Sequence, residues 1–404
     1  MKRSDLLAAA AIALGLAGGS AAPIWAAGDR IVIGVLGDHS SAYADIGGPK
    51  LVEAVKMAAE EAGGEVGGRK IEVIWADSQL KPDVAASITR KWFEADGVDV
   101  VVDLPSTAMA LSVGQLAEEF DKVALLTSAG GSNLTNKDCR PNSVHWTYDT
   151  YGIAHSIGRA LAESGKKKWF FITADYAFGT QLENDATAVL KETGGEVVGS
   201  VRAPLNTVDF SSFLLQAQAS GADVIALANA GSDAVNAIKQ ANEFGLGQAG
   251  QQVAAMVLMD NDIKSIGLEL AQNIRYATAF DWTLTEESRA FADAFRARTG
   301  TNPNMNMAGS YSAVKHYLKA VDKAGTVEAG PVLQAMRDLP VHDAFTPNGT
   351  LRIDGRMVHD MYLMRVKSPT ESQSAWDLAT METVVPGDVA FRSLAESECP
   401  LVKK

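Results

Sequence analysis

Hydroxyls, aromatic rings and a few polar acceptors recur in this chain at one kind of place, the end of an apolar run. "GDHSSAYADIGG" supplies His39 and Tyr43, "DLPSTA" supplies Ser106 and Thr107, and "TSAGGS" supplies Ser128 with the main-chain amides of Ala129 and Gly130. "TADYAFG" contains Tyr176 and Phe178 and "ANAGSD" contains Asn229; outside that set, Tyr151 in "WTYDTY" and Asp260 in "VLMDND" are further candidates. Hydroxyls beside free amides, with helix amino ends behind them, suit a carboxylate or another small polar head. The three aromatics Tyr43, Tyr176 and Phe178 suit the apolar remainder of such a ligand. Asp260 or the Asn229 side-chain oxygen would accept from an ammonium.

Each of these residues also has a plain structural use. Ser106 and Thr107 could cap a helix, Gly130 and Gly131 could make a turn, and Tyr176 or Phe178 could pack on neighbouring loops. Asp38, Asp103 and Asp175 at strand ends could brace loops.

Other chemistries lack their motifs. Neither GxGxxG nor GxxxxGK[ST] is present, so both phosphate cradles are missing, and "GGRK" and "GGSN" are expected to be turns. HExxH is absent and the six His are scattered with no pair at i, i+4, which argues against a metal site. "ALSVG" around Ser112 resembles a degraded nucleophile elbow, but the apolar spacing puts Ser112 inside a helix. With no base paired to a nucleophile, no enzymatic activity and no cofactor are expected. Asn133-Leu134-Thr135 is treated as a chance match to a glycosylation acceptor.

The elements that would position these groups are short apolar strands alternating with helices. "IVIGVL", "IEVIWA", "VDVVVDL" and "VALLT" are separated by helical patterns, and the alternation restarts after about residue 150 with "KWFFIT", "EVVGSV" and "ADVIALA". Near-continuous apolar strands between helices mean parallel sheets covered on both faces, here two doubly wound α/β units in series. The last third is too small for a third unit and is expected to finish both lobes, so that the chain crosses between them more than once. In "FFITADYAFGTQLEND" the strand is expected to stop at Asp175 and the helix to start after Gly179, leaving Tyr176 and Phe178 on extended backbone with Ala177 between them.

Residues 1–27 combine Lys2 and Arg3, an apolar run from Leu6 to Leu16 and small residues near Ala26, the pattern of a cleaved secretory signal peptide. No later stretch is apolar for long enough to span a bilayer. The formal charge is −13, which disfavours nucleic acid or anionic lipid as a partner. The only two cysteines, Cys139 and Cys399, are expected to form one disulfide in an oxidising compartment.

The joint order of "IVIGVLGDHSSAYADIGGPKLVEAVKMAAEE", "GGRKIEVIWADSQLKPDVA", "VDVVVDLPSTAMALSVGQLAEE", "VALLTSAGGSNLT" and "FITADYAFG" resembles the leucine/isoleucine/valine-binding type of periplasmic protein, over residues 29 to about 370. These are type I solute receptors of ABC importers. The resemblance implies two lobes joined by three crossovers, a ligand trapped by hinge closure, and delivery to a membrane permease by a monomer. Lobe one would be 28–148 plus about 281–350, lobe two 149–280 plus about 351–375, and 376–404 a tail returning to the hinge or lobe one. By position, Pro105, Ser106 and Thr107 correspond to the carboxylate-gripping loop, and Ser128, Ala129 and Gly130 to the loop after it. Tyr176 or Phe178 corresponds to the lobe-two tyrosine, Asn229 and Ala230 to a second lobe-two loop, and a residue at or beside Asp260 to the acid that holds the ammonium.

Three departures put an α-amino acid in doubt. "DLPSTAMA" has one hydroxyl fewer than the amino-acid receptors' loop, "ANAGSD" lacks a tyrosine, and "VLMDND" replaces a Pro-Glu pattern. With "WTYDTY" and the C-terminal "CPLVKK" the chain is similar to a divergent branch, some of whose members take aromatic or other small carboxylates. A sensor that regulates a partner protein is the alternative function.

Overall fold

The computed structural model describes residues 29–403, apart from the side chains of Gln248 and Ala249; the expected signal peptide lies outside the described residues. Strands β1 (Arg30–Gly37), β2 (Arg69–Asp77), β3 (Val100–Asp103), β4 (Val123–Leu126) and β5 (Ser143–His145) form a first sheet in the order β2-β1-β3-β4-β5. All of these pair in parallel, and a two-residue strand at Glu65–Val66 adds antiparallel to the β2 edge. Strands β6 (Lys168–Ala174), β7 (Glu196–Ala203), β8 (Val224–Ala228) and β9 (Gln252–Ala255) form a second, all-parallel sheet in the order β9-β8-β6-β7.

Burial follows position in the sheet. Central β8, "VIALA", is buried throughout, whereas edge strands β2 and β7 alternate between more and less covered residues. Helices cover both faces of a central strand, so both its side-chain sets must be apolar; an edge strand escapes that demand.

The last third divides between the lobes. Helix α5 (Met305–Ala324) packs against α1 (Gly48–Glu61) on the first lobe. Strands β10 (Arg275–Thr278), β11 (Met361–Val366) and β12 (Ala379–Val385) make an antiparallel sheet, linked to the end of β9 through the Val257–Ala277 bridge. The segment expected to be a returning tail from 376 therefore begins as a strand of this sheet. Only after Pro386 does it return, reaching Cys139, to which Cys399 is disulfide-bonded with a Cα–Cα distance of 5.6 Å. Asn136 and Glu398 brace the junction: the Glu398 N–H donates to Asn136 Oδ1 at 2.6 Å.

Arg356 ties two crossovers together. Its guanidinium is fully buried, donates from Nη2 to the carbonyls of Trp146 (2.7 Å) and Thr147 (2.9 Å), and faces Asp149 at 3.5 Å. Removing a guanidinium from water needs such partners, so this Arg fixes where the chain segments at 146–149 and 356 meet.

Candidate functional site

Helices α2 (Thr107–Glu119), α3 (Ala177–Glu192) and α4 (Gly231–Glu243) begin where β3, β6 and β8 end, and α5 brings its own start to the same place. Tyr43, Ile46, Thr107, Ser128, Gly130, Tyr148, Tyr176, Phe178, Ala230 and Asn306, with Pro105, line one narrow cavity between the lobes. Thr107, Tyr176, Phe178, Ala230 and Asn306 stand in the cap or first turn of those four helices. None of α2, α3 and α4 has its start capped by a side chain. Amino ends converging on one cavity give it positive potential, although in α4 the Ser232 N–H already donates to the Ala42 carbonyl at 3.2 Å.

The loops are held from behind. Asp38 accepts from the N–H of Ser41 (3.0 Å) and of Tyr43 (2.8 Å), so it braces the loop that carries Tyr43. The chain at Asp103 and Leu104 takes φ of 89° and 59°, a left-handed excursion in two non-glycine residues just before Pro105. Such strain is retained where the surroundings over-determine it, and here it turns Pro105 and Thr107 into the cleft. Thr107 Oγ1 accepts from the Gly131 N–H at 3.1 Å, and the His145 ring donates from Nε2 to the Ala129 carbonyl at 2.7 Å. Gly130 lies flat between two rings: a side chain there would stand 2.6 Å from Phe178 and 2.9 Å from Tyr148.

One lining side chain, Asn306, keeps its buried Oδ1 without a hydrogen-bond partner. The Ser128 hydroxyl lies beside the Asp103 carboxyl and eases its ionisation, yet burial dominates and pushes Asp103 up to about 7. Asp233, which faces Tyr43 and Tyr176 from behind, is pushed up to about 6 for the same reason. No lining side chain is charged.

Of the residues named from sequence, Tyr43, Thr107, Ser128, Gly130, Tyr176 and Phe178 come together in the lining. Ser106 and Ala129 sit next to lining residues and are buried, Ser106 as the cap position of α2. Asn229 precedes Ala230 and is 1% exposed, its amide buried without a partner. Ser106, Ala129 and Asn229 thus adjoin the cavity without lining it, and three further expected residues lie away from it. His39 turns away and stacks on Trp75, ring centroids 4.7 Å apart. Tyr151 stacks on His155 at 3.8 Å and lies under Arg392 near the tail. Asp260 opens a separate helix, Asp260–Ile266, away from the cavity lining, where burial and the neighbouring Asp281 and Asp262 push it up to about 8.

The strand-to-helix turn also differs from expectation. The helix starts at Ala177, so Phe178 is already helical and only Tyr176 is extended. Gly179 is not a breaker: it lies inside the first turn because a side chain there would drive into the Ala174 carbonyl. Ile46, Tyr148 and Asn306 carried no sequence signal as lining residues. "NPNMN" marks a helix start, but only the return of the chain across the lobes brings that start to the cavity.

Comparison with known proteins fits this geometry. A family model for periplasmic binding proteins matches residues 30–373. A periplasmic binding protein from Burkholderia mallei is 43% identical with a TM-score of 0.90, covering 93% of this chain and 100% of its own. A branched-chain amino acid ABC transporter periplasmic ligand-binding protein from Burkholderia xenovorans LB400 is 39% identical with a TM-score of 0.83, at the same coverage. The Leu/Ile/Val-binding protein homolog 6 of Brucella melitensis is 25% identical over 84% of this chain and 88% of its own length. Helix amino ends, buried hydroxyls and aromatic rings gathered between two α/β lobes are the equipment of a solute receptor, and the chain belongs to the periplasmic binding protein family, with the type I fold of ABC-importer receptors.

Proposed function

We propose that the protein is an extracytoplasmic receptor that binds a small aromatic or other apolar carboxylate between its lobes and presents it to an ABC permease, and that residues 1–27 direct its export. The observation that carries this reading is the cavity itself: uncapped helix starts from both lobes and the Ser128 hydroxyl, together with four aromatic rings. A carboxylate suits the first set and an apolar body the second. The uncharged lining speaks against an α-amino acid, whose ammonium would have to leave water with no carboxylate beside it. Similarly folded solute-binding proteins from Rhodopseudomonas palustris hold 3,4-dihydroxybenzoate and benzoate, at 22% and 20% identity.

A thermal-shift screen of aromatic acids, aliphatic acids and amino acids tests this directly. A ligand that binds only the native state raises stability by RT ln(1 + [L]/Kd). The expected hits are carboxylates without an ammonium. Stabilisation by leucine, isoleucine or valine alone would overturn the ligand assignment and leave the receptor.

A further inference from the structure

We infer that Asn306 is a specificity-determining residue of this cavity and selects, among small apolar carboxylates, those that carry a hydroxyl. The inference rests on the carboxylate reading above and extends it to the far end of the ligand.

Asn306 is the second residue of α5 and is 2% exposed. The helix start does not need it. Asn304 already caps α5, its Oδ1 accepting from the N–H of Asn306 (3.0 Å) and of Met307 (3.1 Å). The Asn304 amide in turn donates to the Ile46 carbonyl at 2.9 Å and to Asn261 Oδ1 at 3.1 Å, which fastens the start of α5 to the loop of Tyr43. Asn306 is thus held rigidly against the cavity while its own Oδ1 has no partner.

A buried amide left unpaired costs free energy that an aliphatic side chain of the same size would not. The same lining holds the rings of Tyr43, Tyr148, Tyr176 and Phe178 and the hydroxyls of Thr107 and Ser128, and none of these groups bonds to Asn306 Oδ1. A ligand entering the cavity can supply the missing partner. An ammonium would bring a charge that no lining carboxylate meets. A hydroxyl is neutral and both donates and accepts, so either end of the amide finds a partner in it. A site that hydrogen-bonds a ligand hydroxyl rejects the analogue lacking it, because the site's own polar group is then stranded.

The test is calorimetric titration of the parent protein and Asn306→Leu with benzoate, 3-hydroxybenzoate, 4-hydroxybenzoate and L-leucine. The parent should bind at least one hydroxybenzoate about tenfold or more tighter than benzoate, and in Asn306→Leu that hydroxybenzoate-to-benzoate ratio should fall to about one. Asn306→Ser, which keeps a small hydrogen-bonding group, should retain part of the preference and serves if the Leu variant does not fold. A parent without preference, or variants that keep the parent's hydroxybenzoate-to-benzoate ratio, would overturn the role of Asn306 and leave the carboxylate reading intact. A parent that binds L-leucine and none of the three acids would overturn both.

Discussion

The hydroxyls of Tyr43 and Tyr176 meet across the cleft, one from the loop after β1 and the other from the residue that precedes α3. Burial pushes both phenols well above their ordinary range, so the pair is a neutral hydrogen bond. The cavity beneath it is about 10 Å³, whereas ligand sites run to hundreds of Å³. The lining must therefore move before a ligand of that size fits, and this contact is one of those that hold it closed. Removing one of them should loosen closure: Tyr176→Phe loses a bond of about 1 kcal/mol and should give the ligand-free protein a larger radius of gyration in small-angle scattering. An unchanged radius would show that this contact does not hold the lobes together.

Tyr176 and Phe178 stack at 5.9 Å but do different jobs. Phe178 is 3% exposed and packs into the core against Gly130, whereas Tyr176 buries its hydroxyl against Tyr43 but leaves part of the residue exposed. Phe178→Ala should cost about 3–5 kcal/mol of stability, and Tyr176→Ala clearly less while still weakening ligand binding. Urea unfolding of the two variants checks the difference.

Gly179→Ala tests the turn between β6 and α3. The added methyl meets the Ala174 carbonyl, which is backbone and cannot swing aside, so the helix start must shift. A loss of about 1–3 kcal/mol is expected, against the small gain that Gly→Ala brings in an unobstructed helix. Chemical denaturation reads the sign.

The Cys139–Cys399 bridge joins residues 260 apart in sequence. In the chain-entropy model a loop of that length contributes on the order of 5 kcal/mol through the unfolded state. Cys399→Ser should lower the denaturation midpoint, while thiol titration of the unreduced, denatured parent should find no free thiol.

Asp260 binds its proton more tightly folded than unfolded, because burial and two neighbouring acids push it up to about 8 from a usual value near 4. Its contribution to stability is therefore fully present below about pH 4 and is lost as pH rises towards 8. The buried His145 and His359 titrate with the opposite sign, their pKa lowered by burial and Arg356, so the whole protein's profile mixes the two effects. The difference between parent and Asp260→Asn isolates the first: the variant should gain stability relative to the parent from pH 5 to pH 8. A constant difference would mean Asp260 is ionised throughout.

The alternation of apolar runs with helices was enough to establish two doubly wound lobes, since strands covered on both faces must be apolar on both. Cysteine count and compartment together implied the bridge. The strand ends also pointed to Thr107, Ser128, Tyr176 and Phe178, because in open α/β sheets ligands bind outside the carboxyl ends. What the chain could not reveal on its own is which groups turn inward and which distant segments return. His39 leaves the cleft because a flat partner, Trp75, lies on the adjacent strand. Asp260 stays out because the helix it opens is not one of the four whose starts reach the cavity. Tyr148 arrives on the first crossover and Asn306 on the helix that comes back to the first lobe. No local pattern marks either residue, for their place is set by how the lobes pack and how the crossovers are tied, as Arg356 ties Trp146 and Thr147.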